Sequence, residues 1–291
     1  MNAMRDVRVC LFLGVSCLAA ASGSRARAEG KPESKPASKP ESKPASKPEF
    51  KTDSKVDSKA DVKTEAVTFA SGAEQAQGFL ALPSGASKHP AIIVIHEWWG
   101  LNDWVKEKAR SFAEKGEVAL AVDLYRGKVA TDADTAHQLM RGLPEDRSLR
   151  DLEGAFAYLA ARPDVDPARI GVVGWCMGGG QALALAIAEP KLAAAVIYYG
   201  RLVTDPATIQ KIKAPLLGNF GADDQGIPPE SVKEFSVAAK KAGVACDFKV
   251  FSGAGHGFAS NPDPKIYRPE GAREADHRTA SFFATHLKSR H

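Results

Sequence analysis

The sequence predicts a single doubly wound α/β domain with a mostly parallel sheet over residues 65–291. In this part of the chain, short apolar runs rich in Val and Ile alternate with stretches of helical periodicity. Hydrophobic residues make up 44% of the chain and charged residues 25%, a balance typical of globular proteins rather than fibrous or membrane-embedded ones. Such alternation builds a parallel sheet covered by helices, and these sheets place their chemistry at the carboxyl ends of the strands.

Six apolar runs have the length and composition of buried parallel strands. In chain order they cover residues 91–95, 118–122, 170–173, 193–199, 215–220 and 246–251. Two earlier runs, residues 67–69 and 78–82, are expected to form a hairpin that opens the domain.

Helices are predicted between these strands by their periodicity and by their start and stop signals. They cover residues 102–115, 145–161, 177–188, 229–242 and 271–288. The first helix begins with Asn102 and Asp103 as capping residues. A glycine or a proline follows each of the first four: Gly116, Pro163, Pro190 and Gly243.

Residues 1–28 are predicted to be a secretory signal peptide. Arg5 and Arg8 precede an apolar stretch over residues 9–21, and Ala26-Arg27-Ala28 matches the small-x-small pattern of a cleavage site. The apolar stretch is too short to span a bilayer as a helix. We therefore expect an exported protein, periplasmic or secreted, without a transmembrane span in the mature chain.

Cys17 raises the alternative of a lipoprotein signal, because small residues precede it. Such signals carry a larger aliphatic residue three positions before the cysteine, where this chain has Gly14. Lipidation is therefore the less favoured alternative.

Residues 29–64 are predicted to be a disordered tether rich in Lys, Pro and Ser. From Lys31 to Lys51 a proline recurs every fourth residue, which removes backbone donors and fixes φ. Almost no apolar side chain is present to offset the entropy of ordering. A spacer is the favoured interpretation over a ligand for a partner domain, although its lysines can make weak contact with an anionic envelope surface.

Charge is distributed unevenly along the chain, which has a formal net charge of +4. Residues 1–64 carry an excess of five basic side chains, whereas residues 65–291 carry one more acidic than basic side chain. A nucleic-acid-binding domain needs its basic excess on the folded part. We therefore expect no nucleic-acid partner.

The strongest functional motif follows the third of the six buried strands, at Gly174-Trp175-Cys176-Met177-Gly178. This is the G-x-S-x-G pattern of a nucleophile elbow with Cys in place of Ser. The elbow presents the middle side chain at a helix N-terminus, where the helix dipole favours a thiolate. The alternative is a small buried Cys in a tight turn; a phosphate loop is not supported, since no Lys-Ser/Thr pair follows Gly180.

Two later loops supply the partners that a thiol nucleophile needs. Asp223 and Asp224 follow the strand at 215–220, and His256 follows the strand at 246–251. In α/β-hydrolases the acid and the histidine come after the nucleophile in this order. We expect His256 to accept the thiol proton of Cys176 and one of the two aspartates to orient its imidazole.

The loop after the first buried strand, His96-Glu97-Trp98-Trp99-Gly100, stands where this fold makes half of its oxyanion hole. The backbone N–H groups of Trp98 and Met177 are the expected donors, and Glu97 is expected to point into the same pocket. The alternative is that the two tryptophans only pack under the loop. His96-Glu97 begins like a zinc-protease motif, but Gly100 stands in place of the second histidine, and no metal or cofactor is expected.

These motifs together resemble the dienelactone hydrolase (carboxymethylenebutenolidase) family of the α/β-hydrolase superfamily. The resemblance covers about residues 65–290 and rests on His96–Gly100, Val122-Asp123-Leu124-Tyr125, Gly174–Gly179, Tyr198-Tyr199-Gly200, the Asp223/Asp224 loop and Gly255-His256-Gly257-Phe258. It implies a catalytic triad of Cys176, His256 and the aspartate four residues before Pro228, which is Asp224. It also implies that Glu97 holds the Cys176 thiol until substrate displaces it.

One departure concerns the substrate. Family members that act on dienelactone grip its carboxylate with two arginines, and Arg126 and Tyr199 are the candidate substrate-binding residues here. The second arginine should lie a few residues after the histidine, where this chain has Ala259-Ser260-Asn261, and Arg268 comes later. The resemblance therefore favours a cysteine-dependent hydrolase that acts on small activated esters or lactones in general through a thioester acyl-enzyme. It supports dienelactone itself as the substrate less firmly.

Two other functions compete with this one. An inactive, envelope-tethered binding protein on the same fold need not keep Cys176, Asp224 and His256 together, and this chain keeps all three. A thiol redox protein would use Cys176 and Cys246, the two cysteines outside the predicted signal peptide, as a disulfide. No C-x-x-C motif is present, and Cys246 begins a strand away from the elbow.

Overall fold

The computed structural model describes residues 61–288 with the exception of residues 86 and 261, and its centre is one eight-stranded sheet. The predicted signal peptide, with Cys10 and Cys17, and the predicted tether up to residue 60 lie outside the described residues. Among the helices of the described part, none is long and apolar enough to cross a membrane.

The elements alternate along the chain as the sequence predicts. The strands are β1 (Lys63–Ser71), β2 (Glu74–Leu82), β3 (His89–Ile95), β4 (Val118–Val122), β5 (Val165–Trp175), β6 (Ala194–Tyr198), β7 (Leu216–Gly221) and β8 (Cys246–Phe251). The helices are α1 (Asp103–Ala113), α2 (Ala133–Arg141), α3 (Glu145–Ala160), α4 (Met177–Ala188), α5 (Pro206–Ile209), α6 (Pro229–Lys241) and α7 (Pro269–His286).

The sheet has the order β1-β2-β4-β3-β5-β6-β7-β8. Strands β1, β2 and β4 pair antiparallel, and all pairs from β4 to β8 are parallel. The doubly wound, mostly parallel α/β fold class is therefore confirmed, with β1 and β2 as the predicted opening hairpin.

The sheet separates two apolar cores. On one face, α3, α4 and α6 pack against the strands through buried side chains such as Leu152, Leu183 and Phe235. On the other face, α1 and α7 do so through Phe112 and Phe283. Because both faces are covered, the central strands are apolar throughout and not alternating, as their sequences predict.

The chain reverses its winding between β3 and β5, which lie side by side at the centre of the sheet. Ile95 at the end of β3 is in register with Gly174 near the end of β5. The loop that begins at His96 and the turn at Cys176 therefore start next to each other. Crevices of this kind, at the carboxyl ends of parallel strands, are where doubly wound sheets bind ligands.

Several elements differ from the sequence prediction. Strand β1 begins at Lys63, inside the stretch assigned to the tether, because its pairing with β2 extends to Leu82. Helices α2 and α5 were not predicted. Helix α2 carries a capping signal that could have revealed it: the side chain of Asp132 accepts a hydrogen bond from Thr135 N at 2.8 Å.

Arg126 lies in the segment after β4 and connects this segment to α3 and, through Asp151, to β1. Its guanidinium donates two hydrogen bonds of 2.7 Å to the carboxylate of Asp151 on α3. Ser71 on β1 donates a third, of 2.6 Å, to the same carboxylate, whose side chain is fully buried. The buried carboxylate thus already uses the bidentate face of the Arg126 guanidinium, and a role of Arg126 in substrate binding stays a prediction.

Arg126→Ala is therefore expected to destabilise the fold. The substitution leaves the Asp151 carboxylate buried without its cation, which should lower the free energy of unfolding by about 3 kcal/mol. This is the low end of the usual range, since the Arg126 side chain is 25% exposed. Urea unfolding followed by circular dichroism measures the change. The matched control is Arg150→Ala, which removes a surface ion pair with Asp146 from the same helix and should leave the midpoint nearly unchanged. Equal midpoints for Arg126→Ala and the parent would contradict the structural role.

Candidate active site

Cys176 occupies a strained turn between β5 and α4. Its φ of 54° and ψ of −117° lie in a region that side-chain-bearing residues rarely adopt. The turn is tight because Gly174 and Gly178 touch backbone: a Cβ on Gly174 would lie 1.9 Å from Gly178 O, and one on Gly178 would lie 2.5 Å from Ile95 O. The spacing of the two glycines therefore forces the strand to turn directly into the helix and presents the thiol at its N-terminus.

The thiol is the first member of a hydrogen-bonded chain. Cys176 Sγ lies 3.0 Å from His256 Nε2, and His256 Nδ1 lies 2.8 Å from Asp224 Oδ2. The three residues come from the ends of β5, β8 and β7. The structure thus brings together the three side chains that the sequence analysis singled out, in an order that can pass a proton from sulfur to imidazole.

The structure also distinguishes the two adjacent aspartates. Asp224 is 2% exposed, and its Oδ1 accepts hydrogen bonds from Gly226 N at 2.9 Å and Ile227 N at 3.1 Å. Asp223 is exposed and has no hydrogen bond to His256 within the described residues. The loop therefore orients the carboxylate of Asp224 toward the imidazole before any ligand binds.

The charge state of His256 follows from these neighbours. Burial by itself lowers the pKa of the imidazole, but the hydrogen bonds to Asp224 and Cys176 outweigh it and raise the pKa of His256 to about 10. The raised pKa includes the charge of an ionised Cys176, so His256 holds the proton once sulfur has given it up, and the imidazolium then stabilises the thiolate.

The loop after β3 is held by a neutral histidine. Burial lowers the pKa of His96. Its Nδ1 donates to Glu97 O at 2.5 Å, and its Nε2 accepts from Leu124 N at 3.2 Å. A single neutral tautomer satisfies both contacts. His96 therefore joins the loop that carries Trp98 to the segment after β4, a role that sequence reasoning missed.

The predicted oxyanion donors lie at the two edges of this crevice. Met177 is the first residue of α4, so its N–H has no acceptor inside the helix. Within the described residues no acceptor occupies the N–H of Trp98. The indole of Trp98 packs on Trp99 and on His137 of α2, at centroid distances of 4.9 and 4.7 Å. Packing and oxyanion binding are therefore compatible in Trp98, because one uses the side chain and the other the backbone.

Glu97 is engaged by a hydroxyl instead of a cation. Ser260 Oγ donates to Glu97 Oε1 at 2.8 Å, and Tyr199 OH donates to Ser260 Oγ at 3.0 Å. Burial raises the pKa of Glu97 to about 7, although the hydrogen bond from Ser260 and the nearby His256 both oppose the rise. Among the hydrogen bonds of the described residues, none joins Glu97 to Cys176. Ser260 is a second residue that sequence reasoning missed.

Tyr199 contacts two residues of the site, His256 and Ser260. It is fully buried, with a φ of 35°, and its ring packs edge-on against the imidazole of His256 at 5.2 Å. Its hydroxyl is bound to Ser260, so Tyr199 positions Ser260 and the His256 ring, and its contact with substrate stays a prediction.

Two further expectations concern Arg268 and the two cysteines outside the predicted signal peptide. Arg268 donates to the backbone carbonyls of Gly253 at 2.7 Å and Lys265 at 2.8 Å, so its guanidinium braces its own loop. Cys176 and Cys246 are both free thiols, and Cys246 Sγ lies 3.9 Å from Ser236 Oγ. The disulfide that a redox role would use is therefore not formed.

Known proteins are similar in sequence to most of the part of the chain that the structure describes. The profile of the "Dienelactone hydrolase family" matches residues 76–287. A candidate carboxymethylenebutenolidase of Methylorubrum extorquens is 32% identical over 219 residues, which cover 70% of this chain and 75% of that protein. A second one, from Aquifex aeolicus, is 30% identical over 231 residues, which cover 77% of this chain and 99% of that protein.

Solved structures give the same result. A candidate dienelactone hydrolase from Klebsiella pneumoniae is 28% identical, with a TM-score of 0.71 over 77% of this chain and 99% of its own. A dienelactone hydrolase-like promiscuous phosphotriesterase from metagenomic libraries is 25% identical, with a TM-score of 0.71 over 77% of this chain and 98% of its own.

The geometry predicts which aspartate sets the charge of His256. In Asp224→Asn the pKa of His256 should fall by about two pH units, since a neutral amide replaces a carboxylate in hydrogen-bond contact. In Asp223→Asn the pKa should stay at the parent value, because that side chain faces solvent. An NMR titration of the imidazole protons measures both. Equal shifts in the two variants would mean that the carboxylates share the contact.

Proposed function

The chain belongs to the dienelactone hydrolase family, whose members act on ester and lactone bonds, and from this premise we propose that it is an exported, cysteine-dependent hydrolase of small activated esters or lactones. The observation that carries the proposal is the position of Cys176 Sγ, 3.0 Å from a histidine that is itself oriented by a buried aspartate. An inactive binding protein would have no need of this aligned chain.

In the first half of the proposed reaction, the substrate acyl group is transferred to sulfur. The Cys176 proton moves to His256 Nε2, and the sulfur attacks the carbonyl carbon. The N–H groups of Trp98 and Met177 donate to the oxyanion, an arrangement in which each donor contributes roughly 3 kcal/mol. When the tetrahedral intermediate collapses, the C–O bond breaks and His256 returns the proton to the leaving alkoxide. A thioester on Cys176 remains, and in a lactone the released hydroxyl stays attached to the acyl chain.

In the second half, water hydrolyses the thioester. His256 accepts a proton from the water as it attacks the carbonyl, the same two N–H groups receive the negative charge, and the C–S bond breaks. The carboxylic acid leaves and His256 returns the proton to sulfur. Asp224 stays ionised throughout and stabilises the imidazolium at each stage.

Export is part of the proposal and rests on the sequence of residues 1–28. Arg5 and Arg8, the apolar stretch after them and Ala26-Arg27-Ala28 form the pattern of a cleaved signal. The Lys-rich segment that precedes β1 would then form the N-terminal part of the mature chain, and its lysines can contact an anionic envelope surface weakly. The substrate would be a small ester or lactone found outside the cytoplasm.

We also propose that Glu97 controls the ionisation of Cys176. Both groups lie near the Tyr199 hydroxyl. Burial makes the largest contribution to the raised pKa of Tyr199, and the charges of Glu97 and Cys176 add to it. A negative charge on Glu97 disfavours a second one on sulfur, so the thiol keeps its proton until substrate moves the carboxylate. A protonated thiol resists oxidation, which protects the enzyme in an oxidising compartment.

Loss of Cys176 tests the proposed activity directly. Cys176→Ala should abolish hydrolysis of 4-nitrophenyl acetate, a decrease of at least about a thousandfold, because no other nucleophile stands at the elbow. The thermal midpoint should change little. The control is Cys246→Ala, the other free thiol, whose rate should equal that of the parent. Retained activity in Cys176→Ala, or its loss in Cys246→Ala, would refute the assignment of the nucleophile.

The pH dependence of alkylation tests the control by Glu97. Because the pKa of Glu97 is about 7, its charge opposes the thiolate above pH 7 and disappears below it. Glu97→Gln should therefore react with iodoacetamide at Cys176 faster than the parent above pH 7, with the two rates converging toward pH 5. It should also lose activity sooner in dilute peroxide.

The matched control for this experiment is Glu117→Gln. Burial raises the pKa of Glu117 to about 7 as well, but this residue precedes β4, at the end of the sheet opposite the site. Its substitution should leave the alkylation curve unchanged. Identical curves for Glu97→Gln and the parent would contradict the proposed control and leave Glu97 with a structural role.

A further inference from the structure

The loop that carries the expected oxyanion donor Trp98 is a tight turn. Gly100 N donates to Glu97 O at 3.3 Å, so Trp98 and Trp99 occupy the two central positions of the turn. The N–H of the first central residue takes no part in the turn's own hydrogen bond and stays available to a ligand. Because this hydrogen bond is longer than usual, the turn by itself fixes the direction of the Trp98 N–H only loosely.

The turn begins next to the nucleophile. The carbonyls of Ile95 and His96, which lead into it, lie against the first turn of α4, and a Cβ on Gly178 would be 2.5 Å from each carbonyl oxygen. A change in the direction of the turn therefore moves the Trp98 N–H relative to Cys176, the residue from which α4 starts.

Two contacts from one neighbouring segment hold this turn. Ala130 N donates to Trp99 O at 2.8 Å, and the imidazole of His137 packs edge-on against the indole of Trp98 at a centroid distance of 4.7 Å. Ala130 lies just before α2, and His137 lies within this helix. The backbone contact fixes one central residue of the turn, and the aromatic contact fixes the other, in a geometry that aromatic pairs prefer.

His137 has no other contact that explains its position. Its side chain is exposed, and within the described part of the chain no hydrogen bond engages the imidazole and its ring contact is with Trp98. Ala136 is the buried side chain of α2. An exposed side chain of this kind adds little to the stability of the core, so the contact of His137 with Trp98 acts mainly on the turn.

We propose that His137 is a positioning residue of the oxyanion hole. Its ring holds the indole of Trp98 and thereby directs the Trp98 N–H toward the carbonyl oxygen of the substrate. The inference rests on the proposed hydrolase function and deepens it. Both the formation and the hydrolysis of the thioester place negative charge on that oxygen, so a misdirected N–H slows both halves of the reaction. The turnover number should therefore fall, whereas KM should not change, because KM depends on the ratio of the two rates.

Removal of the ring tests this role. In His137→Ala, kcat for 4-nitrophenyl acetate should fall about fivefold and KM should stay within about twofold of the parent, since an edge-on aromatic contact is worth about this factor. The thermal midpoint should stay close to that of the parent. His137→Phe keeps an aromatic ring without the ring nitrogens and should restore most of the lost kcat.

The matched control is Gln138→Ala. Gln138 is exposed on the same helix, and within the described residues its side chain has no hydrogen bond to the turn. Its kcat and KM should equal those of the parent. A parent value of kcat in His137→Ala would overturn the proposal, and so would a His137→Phe variant as slow as His137→Ala. A rise in KM at constant kcat would also overturn it, because it would make His137 a contact of the substrate.

An aldehyde tests the direction of the Trp98 N–H without turnover. The sulfur of Cys176 adds to the carbonyl carbon of butanal, the C=O π bond breaks, and the oxygen receives the thiol proton through His256, so no group leaves. Protection of Cys176 against iodoacetamide measures the affinity. It should fall about fivefold in His137→Ala and stay unchanged in Gln138→Ala. Butan-1-ol cannot form the adduct and should bind the three proteins equally.

The two measurements separate this inference from the proposed function. If the parent hydrolyses no ester and its affinity for butanal still depends on His137, the hydrolase function is refuted and the positioning role stands. If esters are hydrolysed and neither kcat nor the affinity for butanal depends on His137, the positioning role is refuted and the hydrolase function stands.

Discussion

The first turn of α4 approaches the ends of β3 and β6 so closely that backbone meets backbone, and the position of the Cys176 thiol depends on this approach. Gly178 lies against the carbonyls of Ile95 and His96 at the end of β3, and Gly179 lies against Tyr198 O at the end of β6. Any Cβ at these positions would separate the helix from the sheet. The same approach leaves Cys176 with a positive φ and directs its Sγ toward His256. Strain at this residue is thus balanced by the packing of a helix on a sheet.

Around the thiol, hydrogen bonds decide which groups carry charge. Asp224 and Cys176 favour the imidazolium of His256, with a pKa of about 10, while burial keeps His96 neutral. Glu97 lies between these cases, because its partner Ser260 donates a hydrogen bond without bringing a positive charge. A buried carboxyl with a hydroxyl partner has a pKa of about 7, so small changes in its surroundings can change its charge near neutral pH.

Three arginines differ in the partners that the fold gives to their guanidinium groups. Arg126 follows the segment after β4, where the sequence suggested contact with substrate, but the buried Asp151 holds it in the fold. Arg268 is held by backbone carbonyls. Arg201 follows β6 and lines a cavity, and within the part of the chain that the structure describes no hydrogen bond or ion pair involves its guanidinium. Charge is a property of the residue, whereas availability depends on what the fold places beside it.

The sequence by itself determined the fold class and the loops that carry the chemistry, because strand periodicity and the glycines around Cys176 are local signals. Only the tertiary structure decided which residues meet: Ser260 with Glu97, 163 residues apart, Asp151 with Arg126, and Trp98 with His137 on the unpredicted helix α2. It also separated Asp224 from Asp223 by burial, where the residues alone left both open. Contacts between distant residues depend on the order of strands in the sheet and on side-chain direction, and no local pattern encodes either one.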